Sequence, residues 1–395
     1  MRILHVITDL GIGGAEIMLV RLVERLERQG IANRVAVLAG RGVLAGELER
    51  MGVPVEVLEL SQGRLPGLAA LRLPRLVRRW RPDLVQGWMY HGNLAASFAA
   101  GTAMAGVPVV WGIHFTPAAA AALKPLTRLL IRGSAPLAAT TAAVVYCSAE
   151  SRRQHEAIGY ARSRSALIVN GIDGERFRPD PAAGPRLRRE LGVPDEAVLV
   201  GMLARYAAMK DHANLVAAAA RLRDAGRPVH LVLAGSGVDA GNAELTGRLA
   251  AAGLAGRASL LGERGDVPAL LPGLDMLALP SAFGEAFPLI LCEAMACGLP
   301  CVATDVGDCA AILGGAGTIV PPRDPEALAA ALQRLVDGGP ALRLAVGSAA
   351  RLQVLGRFGL DEAAARYAGL YDTVARRGRD AMIAPSKRDQ GACAD

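Results

Sequence analysis

Short apolar runs alternate with longer amphipathic runs along the first half of the chain. The run AEIMLVRLVERLERQG has the spacing of an amphipathic helix. The runs that fit buried strands are RILHVITDL, RVAVLAG, VPVEVLEL, DLVQGW, VPVVWGIH, AAVVYCS and SALIVNG. Strands that alternate with helices form a parallel sheet with helices on its faces. The pattern therefore predicts a doubly wound α/β domain.

The same pattern begins again after a Pro/Gly-rich segment, DPAAGPR, that follows Pro179. Its strand-like runs are VLVGMLA, HLVLAG, ASLLG, MLALP and PCVAT, and three helical runs follow a last strand, TIVPP. A chain of 395 residues is long for one core and sufficient for two. We expect domains at 1–180 and 181–356, a final helix at about 359–376, and a disordered tail at 380–395.

The net charge is distributed unevenly along the chain. Residues 1–180 hold 22 Lys and Arg against 14 Asp and Glu, hence +8, whereas residues 181–395 hold 22 against 23, hence −1. No run of 18 apolar residues occurs, and the first residues fit a strand rather than a signal peptide. We expect a cytoplasmic protein with no nucleic-acid partner.

Cysteine spacing gives no sign of a zinc site. The six cysteines are Cys147, Cys292, Cys297, Cys301, Cys309 and Cys393. The cluster at 292–309 lacks the paired C-x2-C spacing of zinc ligands. We interpret the cysteines as small reduced core residues and predict no metal site.

Two carboxylates, Glu285 and Glu293, lie eight positions apart in PSAFGEAFPLILCEAMACGLP, residues 280–300. The preceding run MLALP fits a strand, and Pro288 suits the first turn of a helix that begins near Phe287. Glu293 would then lie about 8 Å along the helix axis from its start. Solvated helix charges are the plain alternative, but a Glu among apolar neighbours is seldom buried without a partner.

The start of this predicted helix offers an anion site. The N–H groups of Ala286, Phe287 and Leu289 would lie at the positive end of the helix dipole, where a phosphate or sugar oxygen is stabilised. One ligand would then contact the helix start and both carboxylates.

The context E-x-F-P…EAMACGLP-V around these carboxylates resembles the nucleotide-sugar motif of the retaining family-four glycosyltransferases. Matches to that family extend from Gly13 to about Ala331. The resemblance implies the GT-B fold, in which two doubly wound Rossmann-like domains face each other across a cleft. It also implies that the last helix crosses back onto the first domain.

A glycine loop, DLGIGGAE, joins the first strand to the first helix. Glu16 occupies the third Gly position of a dinucleotide fingerprint, and the second strand ends without an acidic residue, which argues against NAD. The loop resembles the first loop of the family, and this implies that Gly13 and Gly14 leave room for the donor. A tight turn that requires glycine is the alternative.

Two strand ends, WMYHGN and WGIHF, each carry an aromatic residue and a His. Solvated His side chains are common, but two at neighbouring strand ends favour a ligand site. The resemblance implies that His114 faces the transferred sugar. We assign His91 and Asn93 to the acceptor pocket.

Two cations, Arg205 and Lys210, follow the strand VLVGML. A planar guanidinium suits bidentate phosphate contact, and an ammonium acts as a point charge. They match the pyrophosphate-binding pair of the family, although ordinary surface cations are the alternative for either residue alone. Gly237, in the loop AGSG, is predicted to lie near the nucleotide.

The resemblance implies retaining transfer of a sugar from a UDP- or GDP-linked donor to a glycan or lipid-linked acceptor, in cell-envelope or exopolysaccharide biosynthesis. Glu293 would bind the ribose hydroxyls, Glu285 the transferred sugar, and the two cations the departing pyrophosphate. No cofactor or metal is expected. Two alternatives stay open: an epimerase or phosphorylase of the same fold, and a nucleotide-sugar sensor without turnover.

Basic residues recur at helical spacing in two runs of the positive half. They are Arg72, Arg75 and Arg79 in LRLPRLVRRW, and Lys124, Arg128 and Arg132 in LKPLTRLLIRG. Solvated helix faces are the plain interpretation. The alternative is that these amphipathic basic helices rest on an anionic membrane.

Overall fold

The structure, a computed structural model, describes residues 1–59, 71–103, 106–117 and 125–383. The chain divides into two units, one formed by Met1–Val169 together with the chain from Leu360, the other by Asn170–Gly359. Each unit has its own parallel sheet. The doubly wound α/β fold class predicted from the alternating runs is confirmed.

Thirteen strands and sixteen α-helices are described. The strands are β1 (Arg2–Ile7), β2 (Ala32–Val37), β3 (Val55–Val57), β4 (Leu84–Trp88), β5 (Val109–Ile113), β6 (Ala143–Tyr146), β7 (Ser165–Leu167), β8 (Val198–Leu203), β9 (Val229–Ala234), β10 (Ala258–Leu260), β11 (Met276–Leu279), β12 (Cys301–Thr304) and β13 (Thr318–Val320). The helices are α1 (Gly14–Arg28), α2 (Ala45–Arg50), α3 (Arg72–Trp80), α4 (Met89–Ala103), α5 (Pro125–Gly133), α6 (Ala135–Ala138), α7 (Ala149–Ala157), α8 (Ala183–Leu191), α9 (His212–Asp224), α10 (Ala243–Ala251), α11 (Val267–Leu270), α12 (Leu289–Ala296), α13 (Cys309–Leu313), α14 (Pro325–Asp337), α15 (Gly339–Arg357) and α16 (Leu360–Ile383).

Strand order is the same in both units up to the last strand. The first sheet runs β3-β2-β1-β4-β5-β6-β7 and the second β10-β9-β8-β11-β12-β13. In each sheet the order reverses between two central strands, β1 and β4 in the first and β8 and β11 in the second. Ligands of open α/β sheets bind at the carboxyl ends of strands beside such a reversal. The loops after these four strands are therefore the places to look for a site.

Apolar residues at helical spacing hold α1 against the first sheet. Met18, Leu22 and Leu26 are inaccessible to solvent and pack with strand residues such as Ile3 and Val35. A fully buried side chain of this size contributes about 1.5–3 kcal/mol relative to an exposed one. The apolar stripe that predicted this helix is the face that forms the core.

The last helix, α16, is part of the first unit. Tyr367 and Tyr371 lie in the core with the strands, and Tyr371 donates its hydroxyl to Gln86 Oε1 at 3.1 Å. At its start, Asp361 accepts from Arg25 Nε of α1 at 2.7 Å. The crossing of the last helix onto the first unit is thus confirmed. The helix continues to Ile383, past the expected start of the tail, and residues 384–395 lie outside the described residues.

The division between the units falls after Val169, before the Pro/Gly-rich segment that we expected to separate them. The intervening residues are bonded to the second unit. Ile172 donates its N–H to Phe358 O at 2.7 Å, and Arg351 donates to Phe177 O at 3.1 Å. These hydrogen bonds to α15 and the residue after it explain the earlier boundary.

Candidate active site

A largely buried ion pair lies at the edge of the second sheet where β8 and β11 end. Lys210 closes a 3-10 turn after β8, and Glu285 lies in the loop after β11. Lys210 Nζ is 2.5 Å from Glu285 Oε1, and the two side chains are only 16% and 7% exposed. The structure brings together two of the predicted site residues.

Ser281 completes this cluster. Its Oγ donates to the same carboxylate oxygen, Glu285 Oε1, at 2.6 Å, and the serine is fully buried. A buried charge pair is stable only when its geometry is good and further hydrogen bonds satisfy it. Sequence reasoning missed Ser281, although its place directly after a predicted buried strand was a usable signal.

The other predicted cation, Arg205, is exposed and takes no part in the ion pair. Its Nη2 lies 3.6 Å from Met209 Sδ. Of the two cations predicted to form a clamp, Lys210 is thus partly buried and paired, and Arg205 is exposed.

The loop between β12 and α13 packs against the Glu285 loop. Asp308 donates its N–H to Ala286 O at 3.1 Å. The pKa of the nearby Cys309 thiol lies above its usual range, because of burial first and then the negative charge of Glu285. Asp308 is buried, and its negative charge also adds to this shift. No sequence pattern described above points to Asp308.

Gly307 allows this close approach, and it yields a test. Its φ is +61°, and a Cβ there would lie 2.2 Å from Glu285 O. We expect Gly307→Ala to lower the free energy of unfolding by about 1 kcal/mol for the left-handed backbone and a further 1–3 kcal/mol for the clash. Urea unfolding measures the loss.

Gly315→Ala is the matched control, since Gly315 has φ +86° and open space where a Cβ would be. Gly315→Ala should therefore lose only the unfolding free energy that the left-handed backbone costs, without the clash. Equal losses of unfolding free energy in the two variants would show that the Glu285 loop moves to accommodate the added methyl group at no energetic cost.

Helix α12 carries Glu293 inside the second unit. Pro288 lies at the N-cap in an extended conformation, so the helix begins at Leu289, slightly later than the sequence predicted. Glu293 and Glu285 are each 6% exposed. The alternative that both are solvated helix charges is therefore wrong.

The start of α12 is also enclosed. Ala286, Phe287 and Leu289, whose N–H groups we predicted to face an anion, are all buried. At the other end, Arg351 of α15 donates to Ala296 O, the last carbonyl of the helix. A cation at a helix C-terminus is favourable. Both ends of the Glu293 helix are thus fixed within the second unit.

The AGSG loop supports the start of the Arg205 loop. Gly235 has φ +145°, and a Cβ there would lie 2.4 Å from Ala204 O. Tyr206 donates its N–H to Ser236 O at 2.8 Å. Gly237, the predicted nucleotide neighbour, has φ +74° beside the Tyr206 side chain. The glycines allow two loops at the same sheet edge to pack closely.

The glycine loop of the first unit leaves open space at Gly14, whereas a Cβ on Gly13 would meet the Glu16 carboxylate. Gly13 is the extended N-cap of α1, and Gly14 is its first residue. Neither has a positive φ, and a Cβ on Gly14 would meet no atom within 4 Å. A turn that only glycine can form is therefore not the reason for these glycines.

His114 follows β5 and stacks on Trp88, with ring centroids 5.2 Å apart and an interplanar angle of 24°. Both ring nitrogens are buried, and among the described residues neither has a hydrogen-bond partner. Burial lowers the pKa of His114 to about 4, so the ring is neutral at physiological pH. The solvated alternative does not apply to this residue.

The two residues assigned to an acceptor pocket differ in their surroundings. His91 is exposed on α4. Asn93 is fully buried, and its amide pairs with the backbone of Gly112, donating to its O at 3.2 Å and accepting from its N–H at 3.3 Å. Asn93 joins α4 to β5, and its burial does not fit the predicted contact with an acceptor.

The described ranges contain neither a metal-ligand cluster nor a membrane-spanning helix. No group of three His, Cys, Asp or Glu side chains there could hold a metal ion. The five cysteines in these ranges form no disulfide and are buried; Cys393 lies outside them. No helix in the described part of the chain is long and apolar enough to cross a membrane.

Family models match both units. Residues 12–176 match the model described as Glycosyltransferase Family 4, and residues 196–338 match the model described as Glycosyl transferases group 1.

Several individual proteins are similar to this chain, over coverages that range from about half of it to most of it. A D-inositol 3-phosphate glycosyltransferase of Thermomonospora curvata is 31% identical over 68% of this chain and 68% of its own. The lipopolysaccharide core biosynthesis mannosyltransferase LpsB of Rhizobium meliloti is 31% identical over 54% of this chain and 62% of its own. The crystal structure of Anabaena HepE in complex with UDP-glucose has a TM-score of 0.83 at 23% identity, covering 94% of this chain and all of that one.

Proposed function

Because this chain belongs to the group 1, family 4 glycosyltransferases and is therefore a glycosyltransferase, we propose that it transfers a sugar from a UDP- or GDP-linked donor to a glycan or lipid-linked acceptor with retention of configuration. The observation that carries the donor site is the buried cluster of Lys210, Glu285 and Ser281 where β8 and β11 end. Charged groups preorganised at a sheet edge act where charge develops in a transition state.

The second unit supplies the donor site. Lys210 and Arg205 bind the departing diphosphate, and Glu285 binds the transferred sugar. Glu293 accepts hydrogen bonds from the ribose hydroxyls, and the start of α12 adds N–H donors. Burial of both carboxylates supports these roles, because a buried carboxylate forms stronger hydrogen bonds than a solvated one.

The reaction exchanges one bond for another at the anomeric carbon. The bond from that carbon to the phosphate oxygen breaks, and the acceptor oxygen bonds to the carbon from the same face. The acceptor proton passes to the leaving phosphate, so no protein base is required. Lys210 and Arg205 stabilise the charge that accumulates on the phosphate.

The first unit supplies the acceptor site and one contact to the sugar. The neutral ring of His114 has one donor and one acceptor nitrogen, both buried and without a partner among the described residues, so a sugar oxygen that reaches either of them would satisfy it. The open space at Gly14 suits close approach of a ligand to the backbone. His91, exposed, is the candidate for acceptor contact.

The names of similar proteins support a role in envelope or extracellular polysaccharide synthesis. LpsB acts in lipopolysaccharide core biosynthesis, and HepE was crystallised with UDP-glucose. We propose the same class of pathway here, with UDP-sugars as the first donors to test.

A donor panel tests the proposal. UDP-glucose, UDP-galactose, UDP-N-acetylglucosamine and GDP-mannose are compared by thermal shift, and the one with the largest shift is then incubated with and without a glycan mixture. We expect acceptor-dependent release of nucleoside diphosphate and a product with the donor's anomeric configuration. Isomerised sugar from donor alone would favour an epimerase, and phosphate-dependent release a phosphorylase. Binding without turnover under any condition would contradict the proposal.

Activity is expected to survive excess EDTA. The protein's own cations, Lys210 and Arg205, take the place at the diphosphate that a divalent ion has in other transferases. Release of nucleoside diphosphate is measured before and after chelation. A loss that Mg²⁺ or Mn²⁺ alone restores would contradict metal-independent transfer.

We also propose that the enzyme associates with the cytoplasmic face of an anionic membrane. On α3, Leu73, Leu76 and Val77 are buried and Arg72 and Arg75 are exposed. On α5 the exposed residues include Arg128, Arg132 and Leu129, and Lys124 lies outside the described residues.

Co-sedimentation with vesicles tests this association. Each basic residue near an anionic surface contributes about 1 kcal/mol, and salt screens the attraction. We expect pelleting with phosphatidylserine vesicles at low salt, release at high salt, and no pelleting with phosphatidylcholine alone. Absence of pelleting at low salt, or equal pelleting with both lipids, would leave an enzyme without membrane affinity.

A further inference from the structure

We propose that Trp88 is a positioning residue for His114, and that its indole is the last link of a chain of side chains crossing the first sheet from Glu27. This inference rests on the proposed function, in which His114 contacts the transferred sugar. The links lie on neighbouring strands, β2, β1 and β4, and end beside the residue that follows β5.

The contact with His114 is a ring stack. Trp88, the last residue of β4, is fully buried, and its ring lies at 24° to the imidazole with centroids 5.2 Å apart. Tyr367 of α16 also stacks on the indole, at 6.4 Å and 24°. The backbone is held as well, because the His114 N–H donates to Met89 Sδ at 3.3 Å. Met89 has φ +59°, a value that non-glycine residues keep only when their surroundings impose it.

The polar end of the indole is anchored on β1. Trp88 Nε1 donates to His5 Nδ1 at 3.2 Å. An indole N–H can only donate, so His5 Nδ1 accepts, and the neutral ring carries its proton on Nε2. That Nε2 lies 3.0 Å from Asn33 Oδ1, the acceptor it requires. Burial lowers the pKa of His5 to about 4, which agrees with a neutral ring.

Asn33 is fixed in turn. Its Nδ2 donates to Ile31 O at 2.7 Å and to Glu27 Oε1 at 3.0 Å, which leaves Oδ1 as the atom that faces His5. Each hydrogen bond between Glu27 and Trp88 therefore has only one possible assignment of donor and acceptor. A buried network satisfied in this way is rigid. It gives the Trp88 ring a single orientation.

The imidazole of His114 depends on this ring. Within the described part of the chain, no hydrogen bond fixes either of its nitrogens, although both are buried. The stack on Trp88 thus orients the ring whose nitrogen contacts the sugar in the proposed reaction. Misplacing a contact group by about 1 Å can cost on the order of 100-fold in rate.

The experiment uses two buried tryptophans as a matched pair. Trp111 on β5 is also buried, but its Nε1 donates to Ser97 Oγ at 2.9 Å and it has no stack with His114. We expect Trp88→Leu to lower kcat about tenfold at saturating donor, and Trp111→Leu to lower it less than about twofold. The rate is release of nucleoside diphosphate from the donor with the largest thermal shift in the panel.

A double-mutant cycle separates positioning from general damage. If Trp88 acts through His114, Trp88→Leu changes kcat less than about twofold in a His114→Ala background. Trp88→Phe keeps a stacking ring and is expected to retain most of the rate. If Trp88→Leu does not fold, Trp88→Met, which fills more of the space but has no ring, takes its place in the cycle. Equal losses in both backgrounds would overturn the positioning role alone. A His114→Ala variant with normal rate would overturn the proposed role of His114 and the inference with it.

Discussion

Lys210→Ala is expected to lower kcat by at least about 100-fold, equivalent to about 2.7 kcal/mol of transition-state stabilisation. The ammonium is already held at the sheet edge by Glu285 at 2.5 Å, so it needs no reorganisation to meet charge on a leaving phosphate. The measurement is kcat for nucleoside diphosphate release at saturating donor.

The same substitution has a second, separate cost. It leaves the buried carboxylate of Glu285 without its ammonium, and breaking a buried pair costs about 3–5 kcal/mol of unfolding free energy. The double variant Lys210→Met with Glu285→Gln removes both charges and should regain part of that stability without regaining activity. Recovery of rate together with stability would mean that Lys210 serves the fold and not the reaction.

Arg205→Ala tests the reaction with less effect on stability than Lys210→Ala, because Arg205 is exposed and forms no ion pair within the described residues. We expect a similar fall in kcat with a change in unfolding free energy within about 0.5 kcal/mol. Near-normal rates in both single variants would exclude a diphosphate clamp at this edge.

Glu293→Ala is expected to weaken donor binding by about 1.5–3 kcal/mol, which is roughly a 10- to 150-fold rise in Kd. This is the size of a hydrogen bond to a charged acceptor, and Glu293 is buried on a helix fixed at both ends. Calorimetric titration with the free nucleoside diphosphate measures the loss, since the ribose is common to donor and product.

Two controls accompany this measurement. Glu293→Gln keeps the shape and removes the charge, so its Kd should lie between those of the wild type and the alanine variant. Glu244→Ala removes an exposed glutamate of α10 in the same unit and should leave Kd unchanged. An unchanged Kd in Glu293→Ala would remove the ribose assignment.

The sequence predicts the sheets well because each buried strand is a short, continuous run of apolar residues. Strands such as β8 and β11 are apolar on both faces, as parallel strands between helix layers must be. The same logic locates Glu285 and Lys210 in the loops after two strands and Glu293 inside the following helix. It could not predict that Lys210 and Glu285, separated by 75 positions, would share one hydrogen bond.

Other errors have similar physical causes. Asn93 is of a residue type that often contacts ligands, but its amide is bonded to the backbone of Gly112, and only the register of α4 against β5 reveals this. The domain boundary followed the Pro/Gly-rich segment, whereas the hydrogen bonds of Ile172 and Phe177 decide it. In each case a pairing between distant residues outweighed a local signal.

The place of α16 in the first unit has a consequence for synthesis on the ribosome. The second unit is continuous in sequence, so all of its residues are available once Gly359 has emerged. The first unit is not, because Tyr367 and Tyr371 belong to its core and are made after the second unit. Domains usually fold in the order in which they are translated. Here the core of the amino-terminal unit stays incomplete until α16 has been made, so the carboxy-terminal unit is the first that can complete its fold.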